Sequence, residues 1–397
     1  MIPSIRQIYN AAFSEEKYDA FIDAIHADWP GQLDFRVAET PVFVPKILKE
    51  RLFEACESFI DVMVGTHFKV QTQQAIPASQ NVPNENNHSS FLAIDFAICK
   101  DEKGDFMPQL IELQGFPSVF AFQSYVTEQF RKHFPIPAAL SNYFSGVITQ
   151  TEYIEKLRSV IVGDENPENV ILLEIYPETQ KTRIDFTVTE AYLGVKAVCY
   201  TKIKKEGRQL YYEKEGKKIA IKRIYNRLIF DDLTNFPDLQ TEFNFTDEVD
   251  VTWVGHPNWF FRISKYTLPF LQSPYVPETR FVSEYNGDFP KDLENYVLKP
   301  LFSFAGGGVK IHVEHKDIVE IADPENWILQ RKVNYEPVIE APDGLVKCEI
   351  RMLYVWEDNA PRPQLLTSLS RLSRGEMIGV RFNKDFTWVG GSTCFYE

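Results

Sequence analysis

The segment YVLKPLFSFAGGGVKI, residues 296–311, constrains the fold of this chain most. An apolar run ends on Lys299-Pro300, and Gly306, Gly307 and Gly308 stand just before a second apolar run. Glycine reaches positive φ and leaves its backbone N–H groups uncovered, so three in a row place a loop between two strands here. Such a loop can fold over phosphates, and Lys299 can meet phosphate oxygens as a mobile point charge. A glycine-rich hairpin turn beside a solvated lysine is the alternative. The pattern is not the GxxxxGK[ST] P-loop, because the lysine precedes the glycines.

Two strand-like runs lie far upstream, FLAIDFAIC and QLIELQGF, joined by KDEKGDFMP with a turn at Gly104. Period-two alternation puts Glu112 and Gln114 on one face of their strand. If the two strands pair, Asp95 joins them, and three hard oxygen donors converge in a set that suits Mg²⁺ shared with nucleotide phosphates. A polar stripe facing solvent is the other reading.

Further polar residues punctuate apolar strands. WILQRKV offers an adenine-binding hinge or a solvated edge. KCEIRMLYVW and SLSRLSRGEMIGVRFNKD carry Glu349, Arg351, Arg371 and Arg374, which can address ribose, phosphate or a carboxylate, or simply face water. In IYNRLIF, Arg227 sits in a buried-looking strand and needs an anion. A substrate carboxylate would serve, as would Asp231 or Asp232.

The 397 residues predict two or three lobes around a shared interior. Residues 1–150 hold N-terminal helices and the acidic strands. Residues 151–258 alternate strand, helix and strand, as a Rossmann-like α/β lobe does. Residues 259–397 hold the glycine loop and the later strands. The formal charge of −14 argues against nucleic acid or an anionic membrane as partner. Five scattered cysteines without a CxxC pair argue against a disulfide framework or a zinc site. No apolar run is long enough to span a bilayer, and a reducing, cytoplasmic setting is expected.

In order, these segments resemble the circularly permuted ATP-grasp ligases, the group of glutathione synthetase and glutathionylspermidine synthetase. The metal-like strands IDFAI and IELQGFPS come first and the lysine–glycine segment comes near the end, as a permuted chain would read. The resemblance implies an α/β (α+β), circularly permuted ATP-grasp fold and the cofactors ATP and Mg²⁺. It implies metal binding at Asp95, Glu112 and Gln114, with Gln114 standing where the family has Asn. It implies phosphate contacts from Lys265, Lys299, Gly306, Gly307 and Gly308, and an adenine hinge at Gln330, Arg331 and Val333. Glu349 would face the nucleotide, Arg227 would orient an acid substrate, and Arg371 or Arg374 would supply a later basic group. The family's loop glutamate is absent, with Ser303, Phe304 and Ala305 in its place. The implied activity is ATP-dependent ligation of a carboxylate to an amine, on a small molecule or peptide, through an acylphosphate. A kinase acting through the same nucleotide site and a non-catalytic ATP-binding protein are the alternatives. A homodimer would suit such a ligase.

Overall fold

In the computed structural model, which describes residues 1–303, 307–378 and 382–397, the chain is a mixed α/β protein of four sheets flanked by helices. The central sheet runs in the order Val42–Val44, Gly390–Tyr396, Gln364–Ser373, Gly344–Val355, Phe91–Lys100, Phe106–Gln114. It is antiparallel except where Val42–Val44 lies parallel to Gly390–Tyr396. Nine of the ten residues of Phe91–Lys100 are buried, which is why that strand reads as a continuous apolar run. The one charge within the run is Asp95.

Helix Lys46–Met63 packs beside this sheet through Leu48, Leu52, Ala55, Cys56, Phe59, Ile60 and Met63, a three- and four-residue spacing that makes one apolar stripe. Helix Phe120–His133 follows the acidic strands and lies against helix Arg183–Leu193. Ser14 caps helix Glu15–Asp28 by accepting the Lys17 N–H, with Glu15 and Glu16 in the first turn favouring the helix dipole.

Residues 170–254 contain a four-stranded, all-parallel sheet in the order Thr252–Val254, Arg223–Asn226, Val170–Glu174, Lys196–Cys199. Helix Arg183–Leu193 makes the crossover and stops at Gly194, where glycine takes the left-handed conformation without a Cβ penalty. The hairpin Gln209–Lys214 to Lys217–Ile221 turns at Glu215-Gly216, both with positive φ. The strand leading to Arg227 ends at Asn226, so Arg227 lies just past it and not within it.

A small antiparallel sheet, Thr279–Phe281, Trp327–Arg331 and Tyr296–Pro300, carries the lysine–glycine segment. The second strand expected after the glycines is reduced to one bridge, Lys310 to Leu298. Gly308 has φ +70°, and a Cβ there would come 3.0 Å from Pro300 Cγ, so the turn needs glycine. Gly306 lies outside the described residues. Among the described residues no helix is long and apolar enough to cross a membrane, and all five cysteines are free.

Candidate functional site

Strand register builds a charged row on one face of the central sheet. Asp95 pairs with Glu112 on one side and with Arg351 on the other. Two residues along the Arg351 strand, Glu349 pairs with Arg371. A bulge between Asp95 and Phe96 leaves Ile111 out of the ladder, and its carbonyl accepts the Lys299 ammonium at 3.2 Å. Lys299 comes from the small sheet, so the two sheets meet at this row. The second partner of Lys299 is Gln330 Oε1 at 2.6 Å, and Gln330 donates to Thr279 Oγ1 at 3.1 Å.

Lys265 approaches from the short 3₁₀ turn Lys265–Phe270 and donates to the Ser303 carbonyl at 2.7 Å. Glu112, Gln114, Lys265 and Ser303 line one cleft together with Phe116, Phe260 and Leu301. Both lysines are buried, and neither makes an ion pair among the described residues. Burial lowers Lys299 to about 8, with Glu112 opposing and Lys265 adding to the fall. Burial lowers Lys265 as well. Two desolvated ammonium groups near one another, Lys265 lining the cleft and Lys299 close by, make a place for an anion.

The carboxylates are less free than the residue types suggest. Arg351 grips Asp95 with Nε at 2.5 Å and Nη2 at 2.6 Å, and Arg371 Nη2 adds a contact at 2.7 Å. Burial would raise the Asp95 carboxyl, but Arg351 and Arg371 outweigh it and hold the group below its ordinary value. Gln114 donates its amide N–H to Glu112 Oε1 at 2.7 Å, and Arg351 Nη2 stands 3.7 Å from the same oxygen. Glu349 takes the Tyr335 hydroxyl on Oε1 and lies 2.7 Å from Arg371 on Oε2. Burial raises Glu349, and Arg371 only partly opposes this. Among the described residues no group of three His, Cys, Asp or Glu side chains is placed to hold a metal ion. The structure brings Asp95, Glu112 and Gln114 together with their polar atoms engaged by guanidinium groups and by one another. Asp95 has both oxygens on guanidinium groups, and Gln114 turns its nitrogen inward.

Other sequence candidates fall elsewhere. Arg374 pairs with Asp343 and takes no part in the row. Arg331 is exposed, lies over the Tyr296 ring and stands 3.5 Å from Asp292, on the strand face opposite Gln330. Its backbone N–H already donates to the Glu278 carbonyl. Val333 lies beyond the strand end, half-buried. Gly307 and Gly308 are exposed on the loop above Pro300.

The loop Gly115–Val119 joins this row to a second polar group. The Ser118 hydroxyl accepts from Arg351 Nη1 at 3.2 Å, and its carbonyl accepts from Arg227 Nη1 at 2.9 Å. Arg227 also holds Asp185 Oδ2 at 2.6 Å, so its structural partner is Asp185 and not Asp231 or Asp232. The loop runs tight against helix Pro257–Arg262. A Cβ on Gly115 would come 2.5 Å from the Trp259 carbonyl oxygen and 2.9 Å from Ile263 Cβ. Gly115→Ala should lower stability by about 1–3 kcal/mol through this overlap. Urea unfolding measures it, and a wild-type midpoint would show that the loop relaxes freely.

Glu174 is a residue the sequence reading missed. It ends Val170–Glu174, beside Arg227 at the end of the neighbouring strand. The chain leaves Val170–Glu174 toward one side of the sheet and returns to Arg223–Asn226 on the other. The carboxyl ends of the strands flanking such a parting are where open α/β sheets take ligands. Burial pushes Glu174 to about 8, although the Ile175 N–H and Arg227 oppose the rise. Arg227 Nε and Asn226 Nδ2 are buried there without hydrogen-bond partners among the described residues. A carboxylate closing an apolar strand, VILLE, was the available signal.

No known family's sequence model matches the chain, and no curated protein sequence does. Among solved structures it is similar to a glutathione synthetase-like effector from Globodera pallida, in its apo form. The TM-score is 0.59 at 10% sequence identity, covering 90% of this chain and 94% of that one. A likeness this distant in sequence speaks for a shared fold.

Proposed function

We propose that this chain binds ATP in the cleft lined by Glu112, Gln114, Lys265 and Ser303 and uses it to join a carboxylate to an amine. The fold is then the circularly permuted ATP-grasp fold. The observation that carries the reading is the pair of buried lysines without ion-pair partners among the described residues, Lys265 lining the cleft and Lys299 close by it from a separate element. A polyphosphate supplies the anions that both ammonium groups lack. Lys299 has three donors and uses two, so one remains for a phosphate oxygen.

A substrate carboxylate oxygen attacks the γ-phosphorus, ADP leaves, and an acylphosphate forms. The amine nitrogen attacks the acyl carbon, loses a proton, and phosphate departs. Lys265 and Lys299 hold the phosphates, and the loop over Pro300 keeps water from the acylphosphate. In this reading Arg371, about a third exposed, meets the transferring phosphoryl group. The substrate lies between this row and the ends of the parallel strands, where Arg227 and Glu174 offer a donor and an acceptor. No step runs through a metal ion.

The test is ADP release from ATP by the full chain, with acids and amines supplied singly and together. Release that needs both supports the ligase. Phosphate transfer to a hydroxyl would make the chain a kinase, and nucleotide binding without turnover would leave a binding protein. No thermal stabilisation by any nucleotide would remove the reading altogether.

A further inference from the structure

The carboxylate row carries its own fixed cations. Three carboxylates, Asp95, Glu112 and Glu349, stand against four cations, Arg351, Arg371, Lys265 and Lys299. With every group ionised the sum is −3 + 4 = +1, so the row already balances its acids. Arg351 is the decisive residue. It enters from the strand paired with Asp95, takes both Asp95 oxygens and stands 3.7 Å from Glu112. A metal ion at Asp95 and Glu112 would sit against this guanidinium and would have to displace it. Arg351 is in turn held by the Ser118 hydroxyl at 3.2 Å, and only 13% of its side chain is exposed. Arg371 bridges Asp95 and Glu349 at 2.7 Å each and keeps 36% of its side chain exposed.

We propose that Arg351 and Arg371 stand in for a divalent cation on this sheet. An incoming polyphosphate then meets fixed guanidinium and ammonium groups, and Asp95, Glu112 and Gln114 hold no metal. The anion half of this inference rests on the nucleotide reading above, while the metal half stands on the ion pairs alone. A fixed guanidinium differs from a bound metal in a measurable way: it cannot be removed by a chelator.

Mn²⁺ titration of the full chain without nucleotide, followed by electron paramagnetic resonance of the free ion, separates the possibilities. The wild-type chain should leave Mn²⁺ free into the millimolar range. Arg351→Met should gain an Mn²⁺ site at least tenfold tighter, and adding Glu112→Gln should remove it. A wild-type Mn²⁺ site that Glu112→Gln abolishes overturns the inference. A folded Arg351→Met chain that gains no Mn²⁺ affinity overturns it too, since the arginine would then not be what keeps metal away. Should Arg351→Met fail to fold, wild type against Glu112→Gln still decides. A companion thermal-shift series with an ATP analogue should give the same stabilisation in excess EDTA as in Mg²⁺. No shift in either condition would count against the nucleotide reading, and the Mn²⁺ result would still decide the metal question.

Discussion

Asp185→Ala should lower the stability of the fold by about 3–5 kcal/mol, a large part of the ~5–15 kcal/mol that holds a protein together. Asp185 has no solvent exposure and is the one ion-pair partner of Arg227 among the described residues. Its Oδ1 accepts the Phe122 N–H at 2.9 Å, at the first turn of helix Phe120–His133. The substitution strands a guanidinium at 8% exposure and a helix N–H together. A guanidinium keeps its proton at neutral pH, so the group does not escape by becoming neutral. Arg227→Met with Asp185→Ala removes both charges and should be more stable than Asp185→Ala alone, because the worst element is the uncompensated cation. Urea unfolding of the two single variants and the double measures the coupling. Equal stability of Asp185→Ala and wild type would mean that Arg227 finds another anion, with Glu174 the nearest candidate.

The readable parts of this chain were those whose chemistry is local. Asp95 and Glu112 could be matched because both strands are apolar, a glycine turn joins them, and period two fixes which residues face together. The place of Lys299 on a strand was legible because the apolar run YVL leads straight into it. The hairpin turn at Glu215-Gly216 and the helix stop at Gly194 rest on single residues with positive φ, a local signal of the same kind.

The rest depended on partners far apart in the chain. Arg351 looked like one charge of an alternating strand, because its partner Asp95 lies 256 residues away. For Arg227 the sequence offers a substrate carboxylate or the neighbouring Asp231 and Asp232, whereas its anion sits on a crossover helix. The last strand, Gly390–Tyr396, opens with two glycines and did not read as a strand. Gly390 has φ +126°, and a Cβ there would come 2.5 Å from the Arg36 carbonyl, so a contact with the N-terminal region selects glycine where propensity would not. The return strand after Gly308 was overread, since only Lys310 pairs back onto Leu298.

Lys299→Met should weaken binding of an ATP analogue roughly tenfold to a hundredfold at pH 7, the effect of losing one hydrogen bond to a charged group, about 1.5–3 kcal/mol. The pH dependence distinguishes this from a general loss of shape. Lys299 stands near 8 in the folded chain against 10.5 for an ordinary lysine. The folded chain therefore gives up this proton first. Between pH 8 and 10.5 the unfolded chain binds more protons, so the Lys299 contribution to stability rises with pH across that window. Below pH 8 both states are protonated, and the burial penalty is present in full. Ligand affinity runs the opposite way, because only the ammonium form attracts phosphate. Wild-type affinity should fall as pH rises through about 8, while Lys299→Met, already without the charge, should show a flatter profile. The two proteins should converge toward equal affinity near pH 9.5. In the absence of ligand Lys299→Met should be at least as stable as wild type at pH 7, since it removes a cation whose burial cost exceeds the pull of Glu112 and Glu349. Isothermal titration at pH 7 and pH 9.5, with thermal unfolding of both proteins, covers every part of this. Affinity unchanged by Lys299→Met at pH 7 would place the phosphates elsewhere and leave the depressed lysine a structural feature of the sheet junction.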